Sequence, residues 1–467
     1  MRLAKKSILY FVSDIATSII GFLATLYFAR VLGAGPLGKY VMVIALLAWI
    51  TIPTNGIATA INKRVSEGKD ANEIFSAGLL LNIFYGVAVS LVAVLGGRYI
   101  NAYIGTDISI YFAFLVIANI LFTSAREGLN GRKKVAHAGF LQTFDRLVRT
   151  AGQVALIYLG YKVLGLVSGH VVALVVSLIV GIVLFGFRPK LPDKEAFKSL
   201  VSYGRYSWLG SMKSKTFGWI DTLVLGLFVS SGFIGIYEVS WRLASVLILA
   251  SNAVQHTIFP EISDVAKDGD YDEVRNLLNE ALFFSGIFII PGFFGVLVLG
   301  ERILRIYGSE FVKGSVILLI LILARAIDGY GIQFLNVING INRPDVAFRI
   351  NLLFIFTNTA LNFVLIYLFG WYGAAVATAV SALLVTLLSY RSIESLVGVP
   401  EIPVIGVLKQ ILAGSGMAIL LTGVNTVTPV RNMYVTIAMI FFGAFVYMVI
   451  LFGISERVRS KIISLVR

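Results

Sequence analysis

Long apolar runs separated by short polar breaks dominate the chain. They fall at 7–31, 39–61, 74–96, 108–130, 139–161 and 163–187, then at 204–229, 236–260, 276–299, 315–338, 347–369 and 371–396, with a final two at 403–423 and 431–453. Each is long enough for a helix to cross a hydrocarbon layer of about 30 Å. The pattern predicts an all-α polytopic membrane protein with 14 transmembrane helices. The first run, Ser7 to Val31, is long enough to span and has no small-residue cleavage site after it, so it is read as a span and not as a cleaved signal peptide.

Part of the pattern is written twice. Gly35-Pro-Leu-Gly38-Lys-Tyr40 recurs as Gly232-Phe-Ile-Gly235-Ile-Tyr237. Asn130-Gly131 recurs as Asn339-Gly340, and Leu156-Ile-Tyr-Leu159 as Leu365-Ile-Tyr-Leu368. Six helices per copy is an even number, so both copies enter the membrane in the same direction, related by a pseudo-two-fold axis along its normal. The expected layout is an N-terminal six-helix bundle over 1–188, a C-terminal six-helix bundle over 199–397, and helices 13 and 14 with a cytoplasmic tail over 401–467. Arg188 to Lys198 links the halves, and its Pro189 and Pro192 disfavour a continuous helix. Internal repeats of this kind suggest two bundles moving around a central site, which makes transport the first functional hypothesis.

Composition agrees with a bilayer environment: 58% of residues are hydrophobic and only 14% are charged. With no cysteine there is no disulfide, no thiolate metal site and no cysteine nucleophile. His137, His170 and His256 are far apart in sequence, so no metal cofactor is expected. The net charge of +14 would suggest nucleic acid if it were evenly spread, but it is concentrated in alternate loops. Basic clusters sit at Arg2, Lys5 and Lys6, at Lys63, Arg64 and Lys69, at Arg132 to Lys134, at Arg188 to Lys198 and at Arg457 to Lys461. The opposite loops hold far fewer. This bias places both termini in the cytoplasm and the chain in the plasma (inner) membrane, and it requires no nucleic-acid partner. Every outer loop is short, which argues against a membrane glycan polymerase or ligase.

Charges inside the spans carry the functional signal. They are Arg30, Arg126, Arg146, Arg149, Arg205, Lys213, Lys215, Arg242 and Arg325, with Asp14, Glu127, Asp145, Asp221, Glu238 and Asp328. A charge at mid-bilayer costs at least ~2.5–3.5 kcal/mol on insertion scales, so such groups face a bundle interior or a watery cavity. Arg30, Arg126, Glu127 and Arg205 lie near span ends, where snorkelling explains them. In the eighth span Glu238, Arg242, Ser245, Asn252 and His256 form one helical stripe suited to a cavity wall. Asp14, Ser18, Gly21 and Thr25 form another in the first span, and Arg325, Asp328, Asn336 and Asn339 a third in the tenth. The bland alternative for the eighth and tenth is an Arg neutralised by the acid one turn away. Arg146 and Arg149 either line the cavity or brace it from behind. Lys213 and Lys215 point about 160° apart on one helix, and Lys213 is the marginal choice. The excess of cations favours an anionic substrate group such as phosphate or pyrophosphate, which Arg grips with two parallel bonds. The candidate substrate-binding set is therefore Arg242, Arg325, Lys213, Arg146, Arg149, Asp14, Asn252 and Asp328.

Gly308-Ser-Glu-Phe311, Asn339-Gly340 through Arg343-Pro344, Asn351, Asn362 and Gly373-Ala-Ala375, with the early Phe28-Ala-Arg-Val-Leu-Gly33 and Gly38-Lys-Tyr40, carry a resemblance. The chain resembles the polysaccharide flippases of the multidrug/oligosaccharidyl-lipid/polysaccharide exporter superfamily over essentially its whole length. The resemblance implies a monomeric exporter that moves a polyprenyl-pyrophosphate-linked oligosaccharide from the inner to the outer leaflet by alternating access. Its relatives, the lipid II flippases and cation-coupled multidrug antiporters, are the alternatives. The lipid II branch further implies a cation site, here matched by Asp221, Asn358, Asn362, Ala374 and Thr378, with Na+ or H+ as the candidate coupling ion. Those residues offer oxygen donors, as a hard cation prefers. Asn362 stands where that branch usually has a second acid.

Overall fold

The computed structural model describes residues 2–428 and 432–466; within them, the side chains of 2–12, 14, 206, 208–211, 213, 214, 462 and 464–466 lie outside the description. Two compact units divide the chain, Met1–Gly235 and Ile236–Arg467. The first contains α1 (Arg2–Leu32), α2 (Ala34–Ile50), α3 (Ile52–Ser66), α4 (Ala71–Leu95), α5 (Gly97–Ile104), α6 (Ser109–Gly131), α7 (Val135–Tyr158), α8 (Lys162–Phe185), α9 (Lys194–Phe228) and the start of α10 (Ser231–Val246). The second contains the rest of α10, α11 (Ile248–Val265), α12 (Tyr271–Arg305), α13 (Ser315–Gly340), α14 (Pro344–Phe369), α15 (Trp371–Val397), α16 (Val404–Val427), α17 (Met433–Ile454) and α18 (Glu456–Val466). The described residues include no strand.

The protein is an all-helical, polytopic membrane protein. Among the described residues, ten helices are long and apolar enough to cross a membrane, and the bent pair α2–α3 makes an eleventh. The bend, 57°, falls at Thr51. Pro53 causes it, since its ring removes one backbone donor and clashes with the carbonyl one turn earlier. The carbonyl of Ile50 is satisfied from another helix instead, by the Tyr85 hydroxyl at 2.8 Å.

In the first unit, α3 packs on α4, α6 and α9, while α8 packs on α6 and α7. The polar link before α9 is tied to the start of α4. Asp70 caps α4 by accepting from the amides of Asn72 and Glu73, and Lys190 reaches back to Asp70 at 2.8 Å and to Glu73 at 3.1 Å. The hydrogen bond from Lys190 holds the Asp70 carboxyl below its ordinary range, and Asp70 first, then Glu73, raises Lys190. Asp70 and Lys190 therefore stay ionised across neutral pH.

The second unit has its own apolar core. Phe283, Ile287 and Leu299 of α12 meet Ala413, Met417 and Leu421 of α16 and Met439, Tyr447 and Leu451 of α17. This cluster docks the last two long helices onto α12. Buried amides cross-link the helices further: Gln333 donates to the Ser251 carbonyl at 2.9 Å, and Gln410 to that of Phe283 at 2.9 Å.

The repeated Gly-x-x-Gly-x-Tyr motif has a packing function that the two glycines do not share. Within the first unit, a methyl group on Gly38 would overlap the Ser231 carbonyl, and one on Gly235 would overlap that of Ala34. Gly35 and Gly232 have nothing nearer than 4.0 Å. The second glycine of each motif thus lets two backbones touch. Gly38→Ala and Gly235→Ala are expected to cost about 1–3 kcal/mol or more, because a backbone neighbour cannot swing away. Gly35→Ala should be tolerated, and thermal unfolding of the detergent-purified variants would compare them.

Candidate functional site

A cavity of about 400 Å³ opens within the first unit. Six helices and the α2–α3 break build it: Leu47 and Ala48 of α2, Thr51 at the break, Asn55 and Thr59 of α3, Asn119, Thr123, Arg126 and Glu127 of α6, Arg149 of α7, His170 of α8, and Lys215 and Trp219 of α9. The proline bend matters here, since a straight α2–α3 would not turn Thr51 and Asn55 into the same space. Three cations and one carboxylate share a wall otherwise made of amides, hydroxyls and aromatic surface.

Each charge has a distinct environment. Arg126 donates to Glu127 at 3.1 Å and to Gln142 at 3.4 Å. Glu127 also accepts from Asn62 at 2.9 Å and Asn130 at 3.2 Å. Arg149 pairs with Asp145 one turn away on α7, and Asp145 is only 4% exposed. Lys215 has no hydrogen-bonding or ion-pairing partner among the described residues. His170 is buried against Tyr40, whose hydroxyl lies 3.2 Å from its Nδ1.

Of the residues singled out by spacing, Arg149 lines this cavity. Arg146, on the same helix, points toward α1, where its guanidinium fills the space beside Gly21. The α1–α7 seam is closed by Thr17 and Thr143, whose hydroxyls lie 3.1 Å apart. Asp14 and Lys213 are on α1 and α9, and their side chains lie outside the described residues.

The second unit gathers the other candidates into neutral pairs. Arg242 donates to Glu238 at 2.6 Å, with its side chain 39% exposed and that of Glu238 5%. Arg325 donates to Asp328 at 3.1 Å and to the Ser245 hydroxyl at 2.9 Å, and its guanidinium stacks over Trp241 at 4.1 Å. The stripe from Glu238 to His256 is interrupted, because α10 ends at Val246 and α11 starts at Ile248. Asn252 and His256 therefore stand on a different helix from Arg242, and His256 is exposed.

Asn358 and Asn362 on α14 face Ala374, Thr378 and Ser381 on α15, and all are buried. Asn362 donates to the Asn358 carbonyl at 2.9 Å, and Asn358 to the Ser381 hydroxyl at 3.4 Å. Asp221 is buried on α9 in the first unit. The described residues include no group of three or more His, Asp and Glu placed to hold a metal.

The cavity also gathers residues that spacing left aside. Arg126 and Glu127 had been assigned to snorkelling because they approach the end of α6, yet both face the cavity. Lys215 lines it as well. The signal for Lys215 was its opposition to Lys213 on the helical wheel, which identifies a pair without saying which member faces inward.

Comparison with known proteins gives a consistent result. The family described as polysaccharide biosynthesis protein matches residues 3–266. A Haloferax volcanii protein named probable flippase AglR is 29% identical over 99% of this chain and 98% of its own length. A second from that organism, named probable low-salt glycan biosynthesis flippase Agl15, is 30% identical over 96% of this chain and 95% of its own. Among solved structures, a lipid II flippase MurJ in an inward closed conformation superposes with a TM-score of 0.80, covering 96% of this chain and 99% of that one at 14% identity. An inward-facing multidrug resistance MATE transporter of the MOP superfamily gives 0.68 at 12% identity, covering 81% and 94%. The fold is therefore MurJ- and MATE-like.

The pairing of Arg149 with Asp145 generates a test of the site's construction. Asp145→Ala strands Arg149 next to two other cations and should destabilise by about 3–5 kcal/mol, as when a buried pair loses one member. The double variant Asp145→Ala/Arg149→Ala should recover part of that loss, and a thermodynamic cycle on thermal unfolding measures it.

Proposed function

Since the chain belongs to the polysaccharide biosynthesis protein family, we propose that it is a flippase, and not an enzyme, that carries a polyprenyl-pyrophosphate-linked oligosaccharide across the membrane. The observation that carries this reading is the first-unit cavity. Its amides, hydroxyls and Trp219 suit sugar, while Lys215, Arg149 and Arg126 suit a phosphate. Lys215 matters most, because a buried cation with no carboxylate paired to it among the described residues is balanced best by an anion on the cargo. Both relatives are named as flippases and one as a glycan biosynthesis flippase, which favours a glycan cargo over a drug.

Fourteen spans fit this role. Beyond the eleven found by length and composition, α7, α9 and α13 are long enough to span, and each carries charged residues. We place both termini in the cytoplasm from the distribution of the basic residues, and we read the chain as a monomer of the plasma membrane. Transport would proceed by alternating access, with the glycan in the aqueous cavity and the lipid tail left in the bilayer. Arg242 is the second unit's candidate for the headgroup, since its guanidinium remains partly accessible. The oxygens of Asn358, Asn362, Ala374 and Thr378 suit a coupling Na+. The membrane potential is an alternative source of work, at ~2.3 kcal/mol per charge per 100 mV.

The test is transport of a fluorescent lipid-linked oligosaccharide by proteoliposomes. Lys215→Ala and Arg149→Ala should each lower the rate roughly tenfold or more, as expected when charged hydrogen bonds are lost. Arg242→Ala and Arg325→Ala, with folding retained, complete the panel. Wild-type transport by all four variants would sink the proposal.

A further inference from the structure

Several buried polar atoms of the cavity-lining residues have no hydrogen-bond partner among the described residues, one of them on a histidine. His170 on α8 is 3% exposed and lines the cavity, and its Nε2 has no hydrogen-bond partner among the described residues. The ring's other nitrogen is part of a chain that begins on α7. Gln153, 2% exposed, donates its amide to the Leu166 carbonyl at 2.7 Å and to the Tyr40 hydroxyl oxygen at 3.0 Å. Tyr40 lies 3.2 Å from His170 Nδ1.

Proton positions follow from what each group can donate. Gln153 can approach Tyr40 only through its N–H, so Tyr40 accepts there. The hydroxyl hydrogen of Tyr40 then has one acceptor among the described residues, His170 Nδ1. With Nδ1 accepting, the neutral ring carries its hydrogen on Nε2. A protonated ring also carries one there. His170 is therefore a donor at Nε2 in either charge state. It stands on the same wall as Arg149 and Lys215, which have no acceptor to offer.

We propose that His170 is a further headgroup-binding residue, its Nε2–H donating to a phosphate oxygen, and that Tyr40 and Gln153 are positioning residues that fix its tautomer and ring plane. This rests on the cavity being the pyrophosphate site. The competing account is a buried neutral histidine that Tyr40 fully satisfies. It leaves the buried Nε2–H without an acceptor among the described residues. A phosphate oxygen suits the position because it only accepts, and every neighbouring cavity cation only donates.

Substitutions separate the two nitrogens, because a Gln amide nitrogen falls near the place of Nε2 and that of Asn near Nδ1. The probe is farnesyl pyrophosphate titrated into detergent-purified protein, with farnesol as the headgroup-free control and thermal unfolding without ligand as the folding control. His170→Asn should weaken pyrophosphate binding roughly tenfold or more, while His170→Gln keeps most of it. Tyr40→Phe, which frees the tautomer, should fall between them, and farnesol binding should not change. If His170→Asn binds like the wild type while Arg149→Ala does not, the inference is overturned and the headgroup reading survives. Equal losses in the Gln and Asn variants would also overturn it. If Arg149→Ala and Lys215→Ala bind like the wild type too, the headgroup reading fails with it. Should His170→Asn not fold, Tyr40→Phe against His170→Gln decides: wild-type binding by Tyr40→Phe overturns the inference.

Discussion

An ionised side chain inside an apolar helical bundle must find either a counter-charge or a polar cavity, and the rest of this structure depends on how that constraint is met. Insertion costs of at least ~2.5–3.5 kcal/mol per charge leave no third option that a folded chain can hold for long. Each helix that carries such a charge thereby acquires a preferred face, and the packing of the bundle follows.

The two units meet the constraint differently. In the second, Arg242 and Arg325 each close on a carboxylate of their own helix, and Arg325 adds Ser245 and the face of Trp241. Those arginines are largely neutralised where they stand. In the first, Arg126 and Arg149 are partly neutralised, but Lys215 shares the cavity without a carboxylate of its own. The duplicated scaffold therefore carries one unit that balances its charges internally and one that leaves part of the balance to the cavity's contents.

The spans were legible because twenty-odd apolar residues in a row have few other fates. The repeat was legible because the second glycine of its motif is fixed by backbone contact, as Gly38 and Gly235 show. The cavity was less so. Helical spacing places residues on a face, but which faces meet depends on neighbours the sequence does not order. Arg146 and Arg149 lie on one face of α7, yet one reaches toward α1 and the other into the cavity. Arg126 resembled a snorkelling side chain because distance to a span end ignores the bend at Thr51 that brings α3 across it. His170 looked inert because a lone histidine far from its fellows suggests no metal. Its role depends on Tyr40 and Gln153, which are distant in sequence.

The unmatched charge of Lys215 has an energetic consequence for the unloaded protein. With Arg126 and Arg149 on the same wall, partly offset by Glu127 and Asp145, the cavity keeps an excess of positive charge. A polyanion entering the cavity removes it. Loading then becomes linked to stability: any headgroup that binds the native state raises the free energy of unfolding by mass action. On the proposed reading, an anionic headgroup bound there would add to the stability of the first unit.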